Sequence, residues 1–373
     1  MRTILQRAKS WVIKVGTRTC LDGHGRLNGA ILLPLAVQIQ KMRAQGKRLV
    51  LVSSGAVGMG RELLQVEGLG DTLPTKQALA AMGQVAIMHD YQNLFSMLGI
   101  PVAQVLLTRD DVAARERYLN ARNTLNALLE HGVLPIINEN DSVSTGEIRF
   151  GDNDQLAAMV GSIINAEVVV NLTSVPGILI DDPQNPGQEK VLSEVRAVTP
   201  ELAALDKGTT SQGGTGGLSS KLRAAQMVIR YGGAMVIAGA STPEILTRLQ
   251  AGEELGTLLA GTESRLNSRQ RWLAEAARSQ GVVTIDSGAA QALRQGGTSL
   301  LAVGVVSCEG DFKAGDLVTV WAQGEDKPLA RGLSNYSQSE LQAVAGHPTS
   351  QIADILGHPG YEEVIHQSDL ILL

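Results

Sequence analysis

Residues 48–55 read Arg-Leu-Val-Leu-Val-Ser-Ser-Gly: a short β-rich apolar run followed at once by three small residues. Residues 11–17, Trp-Val-Ile-Lys-Val-Gly-Thr, follow the same plan with a lysine inside the run. Further runs lie at Pro101–Leu107, Val133–Asn138, Glu167–Leu172 and Ala234–Ala238. Between them fall helix-like segments at Ala30–Gln45, Thr75–Leu98, Arg115–Glu130, Asp154–Ile164 and Ser219–Tyr231. Strands that are apolar almost throughout need cover on both faces, and alternating helices supply it. The pattern predicts an α/β fold, a mainly parallel open sheet sandwiched by helices. Ligands of such sheets bind beyond the carboxyl ends of the strands, so the residues just after each run are the candidates for function.

Composition narrows the classes. The chain has 373 residues, enough for about two domains. With 44% hydrophobic and 18% charged residues, wholesale disorder is excluded. Two cysteines, Cys20 and Cys308, make neither a disulfide framework nor a cysteine zinc site, which suits a reducing compartment. No secretory leader is apparent at the N-terminus. The most apolar stretch, Leu156–Ile180, is broken by Asn165, Glu167, Asn171, Pro176 and Gly177, so it reads as helix, strand and turn rather than a membrane span. A soluble, cytoplasmic protein is expected. The net charge is −5, yet residues 280–373 alone carry −7 and the remainder +2. An acidic C-terminal part matches a phosphate backbone poorly, and 3% aromatic content offers little for base stacking. From Thr262 to Gln280, Arg265, Arg269, Arg271 and Arg278 mark a polar, helix-like connector. Beyond it, Val282–Ile285, Leu300–Val306, Leu317–Trp321 and Leu329–Gly332 predict a small, mostly β module.

The segments after the strands carry chemistry. Lys14 in an apolar strand needs a partner for its charge unless it snorkels out at a sheet edge, and Gly16 lets a ligand approach the backbone. Ser53-Ser54-Gly55-Ala56-Val57-Gly58-Met59-Gly60 is either an anion-holding helix start or a tight turn; its G-x-x-G-x-G order is no dinucleotide fingerprint. Asn138-Glu139-Asn140-Asp141 and Gly151-Asp152-Asn153-Asp154 cluster carboxylates and amides suited to an ammonium, a divalent cation or a lysine. Asp152 or Asn153 is equally suited to cap the next helix. Gly213-Gly214-Thr215-Gly216-Gly217-Leu218-Ser219-Ser220-Lys221 sets glycines, hydroxyls and a lysine at a helix start. That composition suits polyphosphate, although no glycine directly precedes Lys221 as a Walker A loop requires. Two lysines, two acid/amide clusters and two glycine loops together favour phosphoryl transfer, in which a protein mostly positions groups and neutralises charge.

At these residues the chain resembles the glutamate 5-kinases, members of the amino-acid kinase superfamily with a C-terminal PUA domain. The likeness rests on VIKVGT, SSGAVGMGRE, LLTRDDVAARERYLNARNTL, PIINENDSV, GDNDQLAA and GTGGLSSK, with GGTSLLAVGV and GDFKAGDLV in the last module. The resemblance implies an amino-acid kinase domain at 1–262, a linker at 263–279 and a PUA domain with tail at 280–373. It implies transfer of phosphate from ATP, with Mg2+, to the γ-carboxylate of L-glutamate, the first step of proline biosynthesis. By motif match, Lys14 and Lys221 flank the transferring group and Asp154 orients both. Ser54, Gly55, Asp141 and Asn153 hold glutamate. Thr173, Ser174, Thr215, Gly216, Gly217, Leu218, Ser219 and Ser220 line the ATP site with Lys14 and Lys221, and no protein metal ligand is implied. Many relatives have Thr-Asp where this chain has Thr173-Ser174, so a hydroxyl replaces a charge there. The resemblance also implies a homo-oligomer (dimer or tetramer), proline as feedback inhibitor and coupling to glutamyl-phosphate reductase.

Another kinase of the superfamily, acting on acetylglutamate or a nucleoside monophosphate, is a related reading, and the NEND and GDND pair joined to a PUA module argues against it. RNA binding or modification is the alternative from another class, and the acidic balance of the last module opposes it.

Overall fold

The structure is a computed structural model that describes residues 1–65, 70–113, 115–144, 153–181, 188–204, 217–261, 279–358 and 360–373. It divides into two compact units, the first of Met1–Val112 and Glu116–Arg265 and the second mainly of Leu266–Leu373. The expected linker at 263–279 falls almost wholly outside the described residues.

The first unit is built on ten described strands: β1 Ser10–Val15, β2 Arg48–Val52, β3 Val102–Leu107, β4 Leu134–Glu139, β5 Val168–Thr173, β6 Leu179–Asp181, β7 Glu189–Val191, β8 Glu194–Val195, β9 Ala234–Gly239 and β10 Thr257–Ala260. Eight form one sheet in the order β3-β4-β2-β1-β5-β9-β10-β8, while β6 and β7 make a separate antiparallel pair. All neighbours in the large sheet are parallel except β9 with β10. The six runs read from sequence are strands to within a residue or two, and every residue of β1, β4 and β9 is buried. β10 and β8 extend the edge beyond what the apolar runs marked. Arg2 ties the N-terminus to that edge by donating to the carbonyls of Ser193, Glu253, Leu255 and Gly256.

The register aligns the carboxyl ends. Lys14 of β1 lies opposite Val52 of β2 on one side and Asn171 of β5 on the other. Helices Gly29–Ala44, Leu73–Ser96, Arg115–Glu130, Asn153–Ile164 and Leu218–Arg230 match the predicted segments closely. The Leu73–Ser96 helix starts where Thr72 Oγ1 accepts the Thr75 N–H, with Pro74 in the first turn. Trp11, Ile13, Val170, Leu172, Val236, Tyr91 and Phe95 share the main core.

Helix Ala56–Leu64 follows β2, entered through Gly55 at φ 100°, a left-handed conformation that favours glycine. It packs on Leu73–Ser96 at backbone distance. A Cβ on Gly60 would lie 1.9 Å from the Leu79 carbonyl oxygen, and one on Gly83 would lie 1.9 Å from that of Ala56. No side chain fits at either position.

The second unit has a five-stranded sheet, β12-β11-β13-β14-β15, from β11 Gly281–Ile285, β12 Val305–Gly310, β13 Leu317–Ala322, β14 Pro328–Leu333 and β15 Leu370–Leu372. Three described helices accompany it: Ser287–Gln295, capped by Asp286; Gln338–Val344, closed by a Ser337/Glu340 capping box; and Thr349–Leu356. The strand predicted over Leu300–Val306 is instead a 3-10 turn at Ala302–Gly304 that leads into β12. Gly304 abuts Ala289 of the first of these helices, and its carbonyl accepts the Asp286 N–H at 3.0 Å, which bends the chain before the strand can start. Val283, Ile285, Phe312, Val318, Val320, Tyr336, Leu341 and Ile352 fill this unit's own core.

Gly83→Ala is expected to cost about 2 kcal/mol of unfolding free energy, the scale of an overpacked contact. Gly29→Ala, where an added Cβ meets nothing, is expected to be neutral or slightly stabilising. Urea unfolding of both variants measures the difference.

Candidate functional site

Three elements deliver charge to one point at the carboxyl end of the sheet. Lys14 is the penultimate residue of β1, and Asp154 is the second residue of the helix that follows β4. Lys221 lies in the first turn of the helix that leads into β9. Asp154 is fully buried. Its Oδ1 is 2.5 Å from Lys14 Nζ, and its Oδ2 is 3.1 Å from Lys221 Nζ. Asn171 of β5 adds a third donor, with its Nδ2 2.7 Å from Oδ1. A buried carboxylate is tolerated only when its oxygens are met by charge and hydrogen bonds, as here. The alternative of a lysine snorkelling at a sheet edge does not apply, because β1 is an interior strand and the Lys14 side chain is 7% exposed. A Cβ on Gly16 would sit 3.5 Å from Lys14 Nζ, so glycine leaves the approach to that ammonium open.

A neutral amide network adjoins the charged one. Asn153, the neighbour of Asp154, points its Nδ2 at Ser53 O (2.6 Å), Asn138 Oδ1 (2.8 Å) and Ser54 Oγ (3.0 Å). Its side chain therefore links the residues just after β2 to β4. Asn138, in turn, donates to Gln84 Oε1 at 2.8 Å. Glu139 Oε1 accepts the Ser144 hydroxyl at 2.9 Å. Asp141 is half-buried on the turn after β4. Behind Ser53 lie Cys20 and Tyr91, whose Sγ and OH are 3.4 Å apart. Burial pushes both the Cys20 thiol and the Tyr91 hydroxyl upward, so this layer stays uncharged.

On the other side of Lys14, Thr173 ends β5 half-buried and Ser174 is exposed. Gly217, in extended conformation, precedes Leu218, Ser219, Ser220 and Lys221. Ser220 Oγ is buried with no hydrogen-bond partner among the described residues. Thr215 and Gly216 lie outside the described residues, as do Gly151 and Asp152.

Asn171 and Gln84 were not picked out in the sequence. Asn171 interrupts the apolar run Glu167–Leu172 as Lys14 interrupts its own, so the same cue marks it. Gln84 sits in a helix whose period gives no such mark. Among the described residues no three His, Cys, Asp or Glu side chains converge as a metal-ligand set, and no helix is long and apolar enough to cross a membrane.

Residues 9–239 match the Amino acid kinase family and residues 281–356 match the PUA domain. The chain belongs to the amino acid kinase family. Within that family it is similar over its full length to proteins named glutamate 5-kinase. That of Thioalkalivibrio sulfidiphilus is 43% identical over 373 residues, covering 100% of this chain and 99% of the relative. That of Moorella thermoacetica is 41% identical, covering 100% and 98%. That of Stutzerimonas stutzeri is 43% identical, covering 100% of both. All the core charged residues, Lys14, Asp154 and Lys221, lie inside the matched kinase segment.

The shared carboxylate makes a prediction about stability. Asp154→Asn removes the charge that both ammonium groups meet and is expected to lower the unfolding free energy by about 3 kcal/mol, whereas Lys221→Met keeps the Lys14–Asp154 pair and costs less than about 1.5 kcal/mol. Chemical denaturation of the two variants compares them, and equal losses would contradict the pairing.

Proposed function

We propose that this protein is a glutamate 5-kinase: it transfers the terminal phosphoryl group of ATP to the γ-carboxylate of L-glutamate, giving γ-glutamyl phosphate and ADP in the first step of proline biosynthesis. The observation that carries this reading is the buried Asp154 clamp on Lys14 and Lys221, set between an amide network and a helix start. Full-length likeness to glutamate 5-kinases supports the choice of acceptor.

The chemistry follows from charge. The acceptor carboxylate is already ionised near neutrality, so no general base is needed. Its oxygen attacks the γ-phosphorus while the bond to the β–γ bridging oxygen breaks, and the negative charge released stays on ADP. Both reactants are anions, and in a site shielded from water fixed cations offset their repulsion strongly. Lys14 comes from the sheet and Lys221 from the helix start, so the transferring group is held from two directions. Asp154 fixes the spacing of the two ammonium groups. Ser54, Gly55, Asp141 and Asn153 hold glutamate, with Asp141 suited to its ammonium group. Thr173, Ser174 and the 215–221 segment line the nucleotide. The described residues offer no ligand set of their own for Mg2+, so the ion is expected to enter on the phosphates of ATP, where it would neutralise their charge.

We assign 1–262 to the kinase domain, 263–279 to a linker and 280–373 to the PUA domain. The net charge of −7 over 280–373 favours a regulatory or assembly role for the last module over RNA binding. A cytoplasmic homo-oligomer, inhibited by proline and feeding glutamyl-phosphate reductase, completes the proposal.

Purified protein is expected to release ADP with glutamate and ATP, but not with acetylglutamate, aspartate or UMP in place of glutamate. Lys221→Ala is expected to lower kcat by about 10²- to 10³-fold, as loss of one electrostatic stabiliser does. Full activity in that variant, or preference for another acceptor, would overturn the assignment.

A further inference from the structure

One polar residue interrupts the apolar strand β5. Asn171 stands between Val170 and Leu172, 1% exposed, with Lys14 opposite it on β1 and Ile237 opposite it on β9. Asparagine is a poor strand former, and a buried amide needs partners at both ends. Asn171 meets that need at one end, where Nδ2 donates to Asp154 Oδ1 at 2.7 Å. An amide oxygen turned toward that carboxylate would be repelled, so the charge of Asp154 itself sets which end faces it. The oxygen is thereby turned away, and Asn171 Oδ1 is buried without a hydrogen-bond partner among the described residues. One hydrogen bond to a charged group gained, against one buried acceptor left unpaired, is close to a balance for the fold. What the residue supplies is the contact with Asp154.

Lys14 and Lys221 meet the same carboxylate, at 2.5 and 3.1 Å, but in a different manner. Each ammonium stands at the end of a flexible stem and donates in rotatable directions, so it follows a carboxylate rather than fixing its place. Asn171 carries a planar amide on a short stem, from a strand hydrogen-bonded on both sides. We propose that Asn171 is a positioning residue: it anchors Asp154 to the sheet independently of the two lysines, so that the carboxylate keeps its place when their ammonium groups turn to the transferring phosphoryl group. Asn171 acts through Asp154, and the proposal rests on the glutamate kinase reading. Its loss therefore costs turnover and not stability.

Steady-state kinetics and urea unfolding of the full chain test it together. Asn171→Leu keeps the shape of the side chain and removes the donor and the unpaired acceptor at once. Its kcat is expected to fall about tenfold, the scale of one lost hydrogen bond to a charged group, with KM for glutamate and for ATP within about threefold of wild type. Its urea midpoint is expected to stay or to rise, since leucine buries apolar surface and leaves no acceptor unpaired. In the Asp154→Asn background, Asn171→Leu is expected to change kcat by less than about threefold, because the anchored group is already gone. If the Leu variant does not fold, Asn171→Val takes its place with the same kinetic expectation. An unchanged kcat, an undiminished loss in the Asp154→Asn background, or a lowered midpoint in the Leu variant would overturn the proposal, because an asparagine with a merely structural role sustains stability rather than turnover. Wild-type protein that does not phosphorylate glutamate would instead overturn the function on which the proposal rests.

Discussion

A single carboxylate, that of Asp154, holds the site together. Burying it is unfavourable until Lys14, Lys221 and Asn171 meet its two oxygens. Those partners come from β1, from the helix preceding β9 and from β5. The requirement therefore constrains the register of the sheet and the start of two helices at once. It also keeps two ammonium groups close together, because a carboxylate separates them; in the proposed function the two face one transferring phosphoryl group.

The amide side of the site obeys a different constraint. Here Gln84, Asn138, Asn153 and Ser54 meet through hydrogen bonds. Gly60 and Gly83 allow two helices to meet backbone to backbone, which carries Gln84 to Asn138. Cys20 and Tyr91, both kept protonated by burial, back this layer without adding charge beside the lysines.

Much of this was legible in the sequence, for physical reasons. Apolar runs such as Arg48–Val52 and Ala234–Ala238 announce strands covered on both faces, and the rule that ligands bind past strand ends leads to Lys14, Ser54 and Asn153. The joining of Lys14 to Asp154 and Lys221 was legible only through the family's motifs, because 140 residues of chain separate the first two. Sequence did not show the contact of Gln84 with Asn138, since a helical glutamine carries no periodic signature. The edge strands β8 and β10 and the turn at Ala302–Gly304 also escaped, being short or set by a contact with Ala289.

The central claim is that Lys14 and Lys221 act on one phosphoryl group. A crystal structure of the protein with glutamate, ADP and a metal-fluoride mimic of the transferring group would test it most directly. The account predicts both Nζ atoms within hydrogen-bond distance of that one mimic, with Asp154 still bridging them. A mimic touched by only one of the two lysines, or a complex in which Asp154 has released either, would contradict it.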